Sequence, residues 1–253
     1  MNITSLPLLT DLEAHFEVTE ENTAEVILVP IIKHPSFSKI FKSCQNLKTN
    51  HIHPRYLSAL ELPFSNIETF IDNGNRSSTA GCIAALRLFP RLRVFRTERN
   101  GKEPKVVELL KLPYLEDLSI RGSLRILDFL VTPLLKNLQL DTKNDCFTMN
   151  QVCVESLFAF LHLRSRCKIN CLSLADELSE TECIQILEGI PTLEVLTLDC
   201  PALTNQFVER VTADDGHSFL SLLKTLELKR GTGPFLGVNR LKEVRPGLVL
   251  ITN

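Results

Sequence analysis

The apolar positions of this chain recur in a phrase of fixed internal spacing. At residues 112–120 it reads Leu-Pro-Tyr-Leu-Glu-Asp-Leu-Ser-Ile, with apolar side chains at Leu112, Leu115, Leu118 and Ile120. Related phrases occupy residues 6–12, 89–95, 132–140 and 190–198, and two copies without the proline occupy 168–174 and 222–228. The shared core is Leu-x-x-Leu-x-Leu. Its last two apolar positions lie two apart, so an extended strand sends both to one face and the residue between them to the other. The first apolar position, three earlier, turns the chain into the strand. The proline ahead of it suits the end of a helix, because proline cannot continue one and biases its predecessor toward extended geometry.

Between the phrases the period changes to that of helices. Ser179-Glu180-Thr181-Glu182 forms a capping box, followed by an apolar stripe of Cys183, Ile184, Ile186, Leu187 and Ile190. Residues 151–163 predict a helix with Val154, Leu157, Phe158 and Leu161 on one face. Thr204 is placed to cap a helix carrying Phe207, Val208 and Val211, and Cys82, Ile83 and Leu86 mark a helix before Phe89. Asn22 to Glu25 cap a stretch reaching Ile32 that Pro30 kinks or ends, and Phe235, Val238 and Leu241 suggest a helix near the C-terminus. The anchor residues Leu92, Leu115, Leu135, Ile169, Leu193 and Leu223 are separated by 23, 20, 34, 24 and 30 residues. Leucine-rich repeats run to roughly 20–29 residues, so the two longest intervals are expected to hold longer helices or insertions. Nearly identical short strands alternating with helices predict an α/β leucine-rich-repeat solenoid, with a parallel concave sheet and irregular helix-bearing repeats.

The pattern is weaker over residues 37–70. There Leu57-Ser58-Ala59-Leu60-Glu61-Leu62 reads as a strand phrase, His51 and His53 as part of a solvated loop before Pro54, and residues 72–78 as a loop. No linker-like stretch divides the 253 residues, so they are read as a single repeat domain, 1–253, whose first phrase already lies inside the array without a polar cap.

Charge and composition narrow the function. A net charge of −2 with no basic run argues against a broad nucleic-acid-binding face. No apolar run approaches the roughly 20 residues that cross a bilayer, and residues 1–16 do not read as a secretory leader, so the expected compartment is cytoplasm or nucleus. Eight scattered cysteines then read as reduced thiols, and Cys167 and Cys171 lack the partners of a zinc set. No nucleophile elbow, phosphate-binding loop or zinc-protease helix occurs, and no cofactor is expected. The chain reads as a binding protein and not an enzyme.

The residues free to encode a partner are those the repeat leaves polar on the outer face of each strand. They are Arg96 and Glu98, then Asp117, Ser119 and Arg121, then Asn137, Gln139 and Asp141. Further along the stack come Ser173, Thr197, Asp199, Glu227 and Lys229. An ordinary solvated sheet face is the competing reading of the same residues. Neither Trp nor Tyr stands among them, so this set has no aromatic anchor.

Residues 112–120, Ile126-Leu127-Asp128-Phe129-Leu130 and Thr132-Pro133-Leu134-Leu135-Lys136-Asn137-Leu138 together resemble a run found in mushroom-type fungal F-box proteins. Residues 160–174, Phe-Leu-His-Leu-Arg-Ser-Arg-Cys-Lys-Ile-Asn-Cys-Leu-Ser-Leu, are similar to the segment that follows in that family, and residues 190–196 and 219–226 fit its later repeats. The resemblance spans residues 67–228. It implies that the array presents ubiquitination substrates, and that an F-box ahead of it would dock the Skp adaptor of a cullin-based ligase. This chain departs from the family in showing no F-box-like helix before its first repeat, so Skp and cullin are partners only if such a module lies upstream. The alternative is a stand-alone leucine-rich-repeat scaffold with no ubiquitin link.

Overall fold

The computed structural model describes residues 9–14, 41–42, 44–52, 57, 61–72, 79–99, 108–141, 151–175, 178–199, 205–212, 219–229, 241 and 243–252. Its strands in chain order are β1 (Asp11–Ala14), β2 (Thr49–Ile52), β3 (Thr69–Asp72), β4 (Val94–Arg99), β5 (Leu110–Lys111), β6 (Asp117–Gly122), β7 (Leu130–Val131) and β8 (Asn137–Asp141). They continue with β9 (Cys171–Ala175), β10 (Val195–Asp199), β11 (Thr225–Leu228) and β12 (Val249–Thr252). Ten of them form one sheet in the order β1-β2-β3-β4-β6-β8-β9-β10-β11-β12, and every pairing in it is parallel. The two-residue strands β5 and β7 pair separately. Each unit lies beside the next, which is the geometry of a leucine-rich-repeat solenoid.

The in-register pairing stacks like side chains on like. Phe70, Phe95, Leu118, Leu138, Leu172, Leu196 and Leu226 form one rank across the sheet, and Ile120, Leu140, Leu174, Leu198 and Leu228 form a second two residues on. All are buried, as are the anchors Leu47, Ile67, Leu92, Leu115, Leu135, Ile169, Leu193 and Leu223. One continuous core results.

The returns differ from unit to unit, which accounts for the uneven spacing. Helix α1 (Thr79–Leu86) buries Cys82, Ile83 and Leu86 before the turn into β4. The 20-residue unit between Leu115 and Leu135 has room only for a 3₁₀ segment, Leu124–Phe129. The 34-residue unit holds α2 (Gln151–Phe158), which continues as a π-helix over Ala159–Ser165 and ends at Arg166 with φ 50°. Helix α3 (Glu180–Glu188) has the expected capping box: the Ser179 hydroxyl accepts from the Glu182 N–H, and the Glu182 carboxylate accepts from the Ser179 N–H. Helix α4 (Asn205–Thr212) fills the 30-residue unit and buries Phe207 and Val211. No described helix is long and apolar enough to cross a membrane.

Four readings need correction. Leu57 does not open a strand: it is helical and buried, while Glu61 and Leu62 lie outside any strand and residues 58–60 lie outside the described residues. The strands of this region are β2 and β3, whose phrases carry Asn50 where later units have phenylalanine or leucine, and Asp72 where they have threonine, isoleucine or leucine. His51 stands within β2 and not in a loop, and Asp72 ends β3 in a fully buried position. Phe158 does not share the buried stripe of Val154, Leu157 and Leu161 and is 47 % exposed; the change to wider π-helical turns falls at this residue. The proposed caps at Asn22 and Thr204, the side chain of Val208, and the helix carrying Phe235 and Val238 lie outside the described residues.

Candidate functional site

Every residue selected from the sequence falls on the sheet face opposite the core. The register sets Val94, Asp117, Asn137, Cys171, Val195 and Thr225 in one half-buried rank. Arg96, Ser119, Gln139, Ser173, Thr197 and Glu227 make the next, and Glu98, Arg121, Asp141, Ala175 and Asp199 the third. Lys229 follows β11, its N–H bonded to the Leu198 carbonyl beside Asp199. Residues 131 positions apart in sequence, such as Arg96 and Glu227, thereby share one surface.

Much of this surface is already paired along the ranks. Asn137 donates to Asp117 at 3.4 Å, Ser119 to Gln139 at 3.3 Å and Thr197 to Glu227 at 3.0 Å. Arg121 bridges Glu98 at 3.5 Å and Asp141 at 3.4 Å. Such exposed cross-strand pairs contribute about 0–1 kcal/mol each, so a partner can exchange them at little loss. Arg96 is exposed and has no partner among the described residues. Cys171 lies in the first rank; burial, then Glu194 and Asp117, raise its pKa, and burial pushes Cys167 up to about 11. Neither is the thiolate that nucleophilic chemistry needs.

A second ordered feature, absent from the sequence reading, runs along the edge where the chain turns into each strand. The residue after each anchor stacks on its counterpart, because the N–H of Glu68, Arg93, Glu116, Lys136, Asn170, Glu194 and Lys224 each bonds the carbonyl of the equivalent residue one unit earlier. Their charges alternate from Lys48 to Lys136, pass through the neutral Asn170, and resume with Glu194 and Lys224. Lys48 pairs with Glu68 at 3.3 Å, Arg93 with Glu116 at 2.9 Å, Lys136 with Glu116 at 3.2 Å and Lys224 with Glu194 at 2.7 Å. The sequence signal was the sign of the residue that follows each anchor leucine.

Glu116 receives bonds from Arg93 and Lys136, which together hold its pKa below the ordinary 4.5. A carboxylate with a lowered folded pKa stabilises the fold fully above its unfolded pKa, and that contribution is lost as pH falls through the folded value. Glu116→Gln is therefore expected to have a shallower fall in thermal midpoint between pH 5 and pH 3 than the parent. Parallel pH profiles for the two proteins would contradict the pairing.

On the helix side a groove of about 600 Å³ is lined by Val154, Phe158, Ala159, Leu163, Gln185 and Glu188. Glu188 is bonded to Arg210 at 3.1 Å. Next to the groove, the His162 ring packs on Phe158 at 4.3 Å and against Gly189. Its Nε2 is buried without a hydrogen-bond partner, and burial lowers its pKa. No carboxylate or nucleophile among the described residues is bonded to that nitrogen.

No protein-family model and no curated protein sequence matches the chain. Among solved structures, a protein from Bacteroides fragilis superposes with a TM-score of 0.60 at 15 % identity, covering 96 % of this chain and 74 % of that one. A chain of the TLR13–ssRNA13 complex superposes with a TM-score of 0.47 at 13 % identity, covering 77 % of this chain and 33 % of that one. The first likeness extends over nearly the whole chain and is one of fold alone.

Proposed function

We propose that this chain is a non-catalytic protein-interaction module that presents the exposed face of its repeat sheet to a protein partner. The observation that carries this reading is the register. Packing dictates the inward ranks, which from β6 to β11 hold only leucine and isoleucine, whereas the outward ranks vary from Arg96 to Ser119, Gln139 and Thr197. Only the outward set is free to specify a partner, and the sheet makes it continuous. Replacing Ser119, Asn137 and Gln139 together with arginine is expected to abolish partner binding and leave the thermal transition nearly unchanged, since none of the three is buried. Retained binding in that variant, together with loss on changing the helical side, would place the site elsewhere.

The finer reading is the substrate-recognition array of an F-box-like ubiquitin-ligase subunit in the cytoplasm or nucleus. Its support is the resemblance of residues 112–138 and 160–174 to mushroom-type F-box proteins. Purifying the product from its own cells, with Skp and cullin quantified, tests it: their absence would favour the stand-alone scaffold.

A further inference from the structure

The rim where the chain turns into each strand combines exposed apolar side chains with uncompensated positive charge. The residue before each anchor forms a row one step outside the ion-pair ladder, running Arg91, Tyr114, Leu134 and Lys168 on four successive units. Tyr114 is 54 % and Leu134 50 % exposed. Nothing in the core requires an apolar residue there, since the equivalent positions in the flanking units are charged.

Arg91 and Lys168 bound the apolar step on either side, and neither has a partner among the described residues. In the ladder alongside, Glu116 is the sole carboxylate between Arg93 and Lys136 and is shared by both. Two unpaired cations thus flank Tyr114 and Leu134 in the row, while the Glu116 carboxylate alongside is taken up by Arg93 and Lys136, in a chain whose net charge is −2.

We propose that this rim docks an acidic polypeptide segment that lays an aromatic or aliphatic side chain across Tyr114 and Leu134. This rests on the reading of the chain as a protein-interaction module and names the chemistry of its partner. Tyrosine supplies a large, amphipathic contact area, and such residues anchor interfaces when charged neighbours exclude water around them. Adjacent strands are roughly 4.8 Å apart, so the row from Arg91 to Lys168 spans roughly 14 Å. An extended peptide covers that in about four or five residues. The expected segment therefore has one apolar residue flanked by Asp or Glu two or three positions away on each side. A nucleic-acid strand fits less well. Glu116 lies in the middle of the cations, and Leu134 offers no stacking plane.

The test is panning of a random 16-residue peptide library on the whole chain, followed by fluorescence anisotropy with the enriched peptides. A charge-swapped copy of each peptide, with lysine for every acidic residue, and poly-uridine RNA serve as further probes. Enrichment of acidic peptides with a central apolar residue is expected. Their affinity should fall about tenfold or more in Tyr114→Ala/Leu134→Ala, the loss typical of a central anchor. It should fall comparably in Arg91→Glu/Lys168→Glu and weaken as salt is raised, while charge-swapped copies fail to bind. All four changed side chains are exposed, so the two double variants check one another for folding. Enriched peptides that are neutral or basic, or that bind both double variants as well as the parent, would overturn the rim site and leave the interaction module standing. Tighter, rim-dependent binding of poly-uridine would overturn the polypeptide partner. Failure to enrich any peptide would count against both.

Discussion

Phe70→Ala is expected to destabilise the protein by about 3–5 kcal/mol, the range for truncating a buried phenylalanine. Phe70 is fully buried in β3, in the rank that holds leucine in most later units. Its ring lies 4.9 Å from Phe89 and is stacked on Phe95 at 5.7 Å, with 11° between the planes. Phe64 extends the cluster, meeting Phe89 edge-on at 5.7 Å. Alanine would leave a void between Phe89 and Phe95, and aromatic pairs lose about 0.5–1.5 kcal/mol beyond the area they bury. Phe70→Leu should recover much of the loss, because the rank accepts leucine elsewhere. Chemical denaturation of the three proteins checks this. A loss below about 1 kcal/mol for the alanine variant would mean that this unit does not pack on the array as described.

Leu138→Ala is expected to cost about 2–5 kcal/mol. Leu138 is 2 % exposed and sits between Leu118 and Leu172 in the same rank, near the middle of the stack. Each unit of a solenoid contacts only its neighbours, so a central lesion weakens two interfaces at once. Hydrogen exchange should therefore quicken first in β6, β8 and β9, and later in β2 and β11. Uniform acceleration across the sheet would show that the array unfolds as one unit in which position along the stack does not matter.

Where the strand phrase is pure, the sequence was sufficient. From Leu92 to Leu228 the anchors, the buried ranks and the alternating outward residues all lie where Leu-x-x-Leu-x-Leu places them, since a two-residue period leaves no freedom over which side chain faces the core. The capping box at Ser179 was equally legible, because its bonds are local. The phrase failed at β2 and β3, where Asn50 and Asp72 occupy its buried inward positions. Leu57 to Leu62, with apolar residues at the right types but no anchor ahead of them, drew the assignment instead. The strand β12 was missed although Pro246 precedes it, because Leu248 to Ile251 form a continuous apolar run without the alternation of the strand phrase.

The candidate surface divides in the same way. The thirteen outward residues could be listed from strand period alone. That Arg121 bridges Glu98 and Asp141, or that Glu116 is shared by Arg93 and Lys136, depends on which units are neighbours, and hydrogen bonding between strands decides that. The rim of Tyr114 and Leu134 was invisible for the same reason. Each residue is a single apolar side chain in a turn until parallel stacking sets one beside the other.

The sequence by itself therefore determined that this protein is a stack of leucine-rich units, and which side chains of each unit face inward. Those features follow from the geometry of one strand and one helix, which local spacing encodes. The tertiary structure alone decided how charges neutralise along the ranks, where charge and apolar surface are left uncovered, and how unequal returns of 3₁₀, α and π geometry are accommodated. Those depend on contacts between residues 20 to 33 positions apart, whose register the chain acquires only when the units dock on a shared core.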